Sequence, residues 1–112
     1  MGKLSREKGA NFEREIAREL RDIFGDESRR GFQYRDGQEV GDVMNPAFFI
    51  ECKRRKRSNV QAALEQAIAA CTDKSRFPVA ITRDDRERTI VTMDLADWKE
   101  LVGEWWSLRN RA

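Results

Sequence analysis

Between Ala47 and Thr82 the hydrophobic repeat passes from a period of two to a helical period and back, and that alternation restricts the fold more than any other feature. Ala47 to Lys53 (Ala-Phe-Phe-Ile-Glu-Cys-Lys) reads as a strand. Ser58 then opens a helix, with Gln61 three residues on completing a capping box. Val60, Ala63, Leu64, Ala67, Ile68 and Cys71 give that helix an apolar stripe, and Phe77 to Thr82 is a strand again. Two strands of one sheet joined through a helix make a right-handed crossover, so these two should run parallel.

The flanking segments extend the pattern. Residues 8 to 24 read as a helix, with Phe12, Ile16, Leu20, Ile23 and Phe24 at helical spacing and Gly25 closing the run. Residues 31 to 35 alternate like a strand, Gly37 marks a turn, Gly41 to Met44 is a short strand, and Asn45-Pro46 turns the chain into the next. Asp84-Asp85 is a loop and Arg88 to Met93 a further strand. Asp94 caps a last helix, whose apolar side holds Leu95, Trp98, Leu101, Val102, Trp105 and Trp106. The order αβββαββα predicts an α/β fold, a mixed sheet flanked by helices. At 112 residues it should form one domain over residues 1–112.

Composition removes several classes of function. Histidine is absent, which excludes histidine-based triads and histidine-containing zinc sites. Cys52 and Cys71 are too few and too far apart for a cysteine-rich metal site, and read as reduced thiols of a cytoplasmic protein. No run approaches the ~18 apolar residues of a membrane span, and Met1 to Ala10 lacks the apolar core of a secretory signal. Lysine and arginine number 22 against 20 acids, a net charge of +2, but the excess is local. Arg29, Arg30, Arg35, Lys53, Arg54, Arg55, Lys56 and Arg57 stand in the middle third against Asp36, Glu39, Asp42 and Glu51. A basic zone on an otherwise balanced surface suits a polyanion partner; the plain alternative is a solvated loop after a strand.

The Ala47–Lys53 strand carries the chemistry. Alternation sends Phe48, Ile50 and Cys52 toward one face and Phe49, Glu51 and Lys53 toward the other. A carboxylate and an ammonium therefore share a face, and Asp42, nine residues earlier, would lie beside Glu51 if the two strands form a hairpin. Two adjacent carboxylates repel, and a hard divalent cation such as Mg²⁺ or Mn²⁺ offsets that repulsion. Metal, acids and lysine together suit hydrolysis of a phosphodiester. On the first helix Glu13 falls on the side of Ala17, Leu20 and Phe24, an unusual place for a merely solvated acid.

Asp42 followed by Glu51-Cys52-Lys53 resembles the D-(x)n-E-x-K motif of the PD-(D/E)XK nucleases. Lys8-Gly9-Ala10-Asn11-Phe12-Glu13-Arg14-Glu15 is similar to the opening of archaeal and phage Holliday junction resolvases, as are Arg35 and the Phe77-Pro78-Val79-Ala80-Ile81 strand. The resemblance covers residues 8 to 82. It implies a restriction-endonuclease-like core and a homodimer that cuts DNA at four-way junctions. It also implies a metal site of Glu13, Asp42, Glu51 and the Cys52 backbone carbonyl, with Lys53 as the catalytic lysine. Gln66 would orient the site, with Gln61 a competing candidate. Arg54, Arg55, Lys56 and Arg57, with Arg29, Arg30 and Arg35, would contact the DNA backbone, with Mg²⁺ as cofactor and Mn²⁺ as substitute. Asp36 follows Arg35 where the archaeal enzymes commonly have serine, which favours a phage-type variant. Another PD-(D/E)XK nuclease of repair or restriction type, or a non-catalytic DNA-binding module, are the competing expectations. The three tryptophans suit the core or a subunit interface.

Overall fold

A computed structural model describes residues 3–31, 34–35, 38–39 and 41–111. The helix α1 runs over Lys3–Phe24, earlier than the apolar pattern indicates, because Lys3, Leu4, Arg6, Glu7 and Lys8 are all exposed and mark no buried face in the sequence. Phe12, Ile16 and Ala17 are its buried residues; Ile23, expected on the apolar side, is exposed. Gly25, at a φ of +62°, ends the helix and begins a 3-10 turn over Gly25–Glu27.

Ser28 pins the chain as it leaves that turn. Its hydroxyl donates to the Ala17 carbonyl at 3.2 Å, its N–H to the Gly25 carbonyl at 3.1 Å, and its carbonyl accepts from Arg21 Nε at 3.0 Å. The next two residues, β1 (Arg29–Arg30), therefore enter the sheet edge, antiparallel to β4 (Val43–Met44). This corrects the expected strand at 31–35. Its second half, β2 (Tyr34–Arg35), pairs instead with β3 (Gln38–Glu39) in a separate two-stranded ribbon. Phe32, Gln33 and the expected turn at Gly37 lie outside the described residues.

The turn at Asn45-Pro46 is as expected, and Asn45 organises it by accepting from the N–H groups of Ala47 and Phe48 at 2.9 and 3.0 Å. It leads into β5 (Phe48–Arg55), which starts one residue later and ends two residues later than the expected Ala47–Lys53 strand. α2 spans Val60–Ala70, β6 Phe77–Asp84, β7 Thr89–Thr92 and α3 Leu95–Arg109. The helix cap is Asn59, whose side chain accepts from the Ala62 N–H, and not Ser58. Ser58 instead gives its N–H to Asp84 at 2.8 Å.

The five-stranded sheet has the order β1-β4-β5-β6-β7. β5 and β6 are parallel from Phe48↔Phe77 to Arg55↔Asp84, as the crossover requires, and the other pairs are antiparallel. Helices cover both faces. Phe12, Ile16 and Ala17 of α1 pack with Val43, Ile50, Cys52, Val79 and Ile81 on one. Ala63 and Leu64 of α2 pack on Ala80 on the other. Each large side chain buried this way contributes roughly 1.5–3 kcal/mol. α3 buries no residue, so its tryptophans are not part of the core. Among the described residues no helix is long and apolar enough to cross a membrane.

Candidate active site

β5 places the chemistry. Ile50 and Cys52 face α1, and the intervening Phe49 and Glu51 take the α2 side, where Glu51 is only 5 % exposed. A carboxylate that deep requires partners. One is Gln66 of α2, whose Nε2 donates to Glu51 Oε1 at 3.3 Å. Of the two glutamines weighed from the sequence, Gln66 is thus the one hydrogen-bonded to Glu51, while Gln61 donates to Glu65 on the exposed face of α2. Lys53, next on the α2 side, lines a cleft with Gln66 and Asn59.

Asp42 reaches the same strand from the edge. The β4–β5 ladder carries the pair Val43↔Ile50, and immediately before it the Asp42 N–H donates to the Ile50 carbonyl at 2.9 Å. The Asp42 carboxylate then accepts from the Cys52 N–H at 2.8 Å, replacing a backbone acceptor. Because the N–H and C=O of a strand residue share one side, the Cys52 carbonyl points toward the same edge as Asp42. Gly41 makes the approach possible. Its φ is +85°, and a Cβ there would stand 2.9 Å from the Ile50 oxygen. The Gly-Asp pair is therefore more than a turn.

Glu13 comes from α1, and Arg30 Nε donates to its Oε1 at 2.8 Å. Burial raises the Glu13 carboxyl above its ordinary range. The Arg30 hydrogen bond opposes this, and the like charge of Asp42 adds to it. The Cys52 thiol reports the whole group. Burial first, then the charges of Asp42, Glu13 and Glu51, push it well above the usual thiol range, and Lys53 opposes them. Acids from α1, the β4 edge and β5 thus all act electrostatically on one buried thiol, with Lys53 opposing them. Among the described residues no three side chains already stand in a coordinating cluster. Protein donors meet each acid, Arg30 for Glu13, the Cys52 N–H for Asp42 and Gln66 for Glu51.

The basic side chains divide. Arg55, Lys56 and Arg57 are exposed beyond the site and, with Lys8, Lys53 and Arg54, line a cleft of about 640 Å³. Arg54 is tied down, donating to Asp85 at 2.7 Å and to the Arg83 carbonyl at 3.3 Å, and Lys8 meets the same Asp85 at 3.0 Å. Arg29, on the face of β1 opposite Arg30, lines a separate cleft with Asp26, Glu27 and Asp73. The Arg35 side chain lies outside the described residues. Sequence reasoning missed Lys8 as part of the basic cleft; its one signal was its place at the head of the Lys8–Glu15 motif.

A mixed sheet of this order, with D and E-x-K on adjoining strands and a helix on each face, defines the restriction-endonuclease-like class of PD-(D/E)XK nucleases. A family model described as "Phage putative PDDEXK endonuclease" matches residues 4–108, and the chain belongs to that family. No curated protein and no solved structure matches it.

Proposed function

We propose that the chain is a divalent-metal-dependent DNA endonuclease that cuts branched DNA, four-way junctions foremost, as a homodimer. The observation that carries the reading is geometric: Asp42 accepts from the Cys52 N–H at 2.8 Å, between Glu51, which Gln66 holds at 3.3 Å, and Lys53 on the same strand, while Arg30 holds Glu13 of α1 at 2.8 Å. Partly desolvated carboxylates drawn from three elements suit a hard cation. Glu13, Asp42, Glu51 and the Cys52 carbonyl are the oxygen donors that would hold Mg²⁺, or Mn²⁺ in its place. When bound, the ion would polarise a phosphate and lower the pKa of a water.

The chain's own groups supply the rest. Lys53 offers an ammonium to a phosphate oxygen and stabilises its developing charge. Gln66 fixes the rotamer of Glu51 and so acts as a positioning residue. Arg55, Lys56 and Arg57 hold the backbone next to the site, a contact whose strength falls steeply with salt. Support for a second copy comes from α3 and β7. Val91, Leu95, Trp98, Trp105, Trp106 and Leu108 are each at least half exposed, and β7 is an edge strand among the described residues.

Cleavage of a four-way junction, a flap and a linear duplex of matched sequence in Mg²⁺ tests the proposal. The junction should be cut fastest. Lys53→Ala and Asp42→Asn should abolish cutting while binding persists. Wild-type rates in both variants would refute the site, and equal cutting of all three substrates would refute the junction preference.

A further inference from the structure

The N-terminal half of α1 has a basic concavity on each side. The proposed function uses the one containing Lys8 and the Lys53–Arg57 run. The other, of about 530 Å³, lies on the opposite face of the helix and is lined by Lys3, Arg6, Arg14 and Arg30, with Asn11 and a single acid, Glu7. Lys3, Arg6, Ala10 and Arg14 recur at three- and four-residue steps, so they form one stripe along the helix. From Lys3 to Arg14 it runs for ~16 Å at about 1.5 Å per residue. Measured along a duplex axis, that length covers about five base-pair steps of ~3.4 Å each. Arg14 is already braced toward the groove floor, donating to Asn11 at 3.0 Å.

Arg30 belongs to both this groove and the acids. Its Nε is spent on Glu13, yet its side chain is 42 % exposed, and a guanidinium carries further N–H donors. A phosphate in the groove would therefore compete with Glu13 for the same cation. We infer that the α1 groove is a second DNA-backbone site, and that Arg30 couples it to the acids: it shields Glu13 when no DNA is present and turns to phosphate when the groove fills. Glu13, released beside Asp42, is then available to a divalent cation, so DNA and metal each strengthen the other's binding. This rests on the reading of the chain as a metal-dependent DNA nuclease.

Two measurements test it, both in the Lys53→Ala background so that DNA stays uncut. The first is binding of a linear duplex in EDTA across a range of salt. The pair Arg6→Gln and Arg14→Gln should lower the slope of log K against log salt by about 1.8, two phosphate contacts at ~0.9 each. Arg55→Gln with Arg57→Gln is the parallel pair on the other cleft. If only the second pair lowers the slope, the groove assignment is wrong and the DNA reading stands. If the parent binds no duplex, the groove assignment falls, and binding of a four-way junction then decides whether the DNA reading stands.

The second is calorimetric titration of Mn²⁺ with and without duplex. The parent should bind Mn²⁺ at least ~5-fold more tightly when DNA is present. Arg30→Gln should bind it more tightly without DNA and gain less than twofold from DNA, while Arg29→Gln behaves as the parent. A DNA effect that survives Arg30→Gln intact overturns the coupling. Absence of Mn²⁺ binding in every protein overturns both the coupling and the metal reading.

Discussion

Glu15 and Arg83 are 68 residues apart in sequence and form a two-point ion pair, Arg83 also donating Nε to Thr89 at 2.7 Å and lying 5.1 Å from the Phe12 ring centroid. From sequence alone Glu15 is indistinguishable from the surface acids Glu19 and Asp22, because what distinguishes it arrives from β6. The Arg83 hydrogen bond holds the Glu15 carboxyl below its usual range. Its contribution is thus present above the carboxylate pKa of the unfolded chain and is lost as pH falls through about 4 and below. Both side chains are about one-third exposed, so Glu15→Gln should cost only ~0.5–1 kcal/mol at pH 7. Urea melts at pH 7 and pH 3 should show that cost shrinking in acid; an undiminished difference would contradict the assignment. Gly41→Ala should cost more, about 2 kcal/mol, since it combines a positive φ with a Cβ that meets the Ile50 carbonyl. It should also depress metal binding by shifting Asp42, measured by calorimetry on the folded variant.

Among the elements, those governed by burial were legible and those governed by local polar contacts were not. The parallel β5–α2–β6 unit, the end of α1 at Gly25 and the Asp94 cap of α3 follow from apolar period and capping chemistry. Asp42, Glu51 and Lys53 were readable because strand alternation and hairpin spacing are rigid. The α2 cap was misplaced by one residue because Ser58 and Asn59 are both good caps, and the choice between them is made by Asp84 taking the Ser58 N–H. β1 was unreadable because nothing in two arginines announces a strand; the Ser28 contacts to α1 place them. The α2 cap gives a paired prediction. Asn59→Ala should lower stability by about 1 kcal/mol. Ser58→Ala should be neutral or stabilising, since the Ser58 hydroxyl is buried with no hydrogen-bond partner among the described residues. Thermal melts of the two variants decide it, and the reverse order would restore Ser58 as the cap.

At the scale of the whole molecule, the sheet with α1 and α2 is the stable body, and α3 contributes little to it within one chain. Trp105 is 54 % exposed, with Trp106 and Arg109 as its ring neighbours on the same helix. Trp105→Lys should therefore change the stability of the isolated monomer by less than ~0.5 kcal/mol. If a second copy covers α3, the melting temperature of the parent will rise with protein concentration and that of the variant will not. Sedimentation at the same concentrations checks the assignment, and identical masses for the two proteins would remove it.

β5 serves the core and the candidate site with alternate residues of one stretch of backbone. Inserting or deleting a single residue there would exchange Ile50 and Cys52 for Glu51 and Lys53, unfolding the protein and destroying the chemistry in one event. Any change in what the site accepts must consequently come from residues off that strand, because β5 itself admits no shift of register.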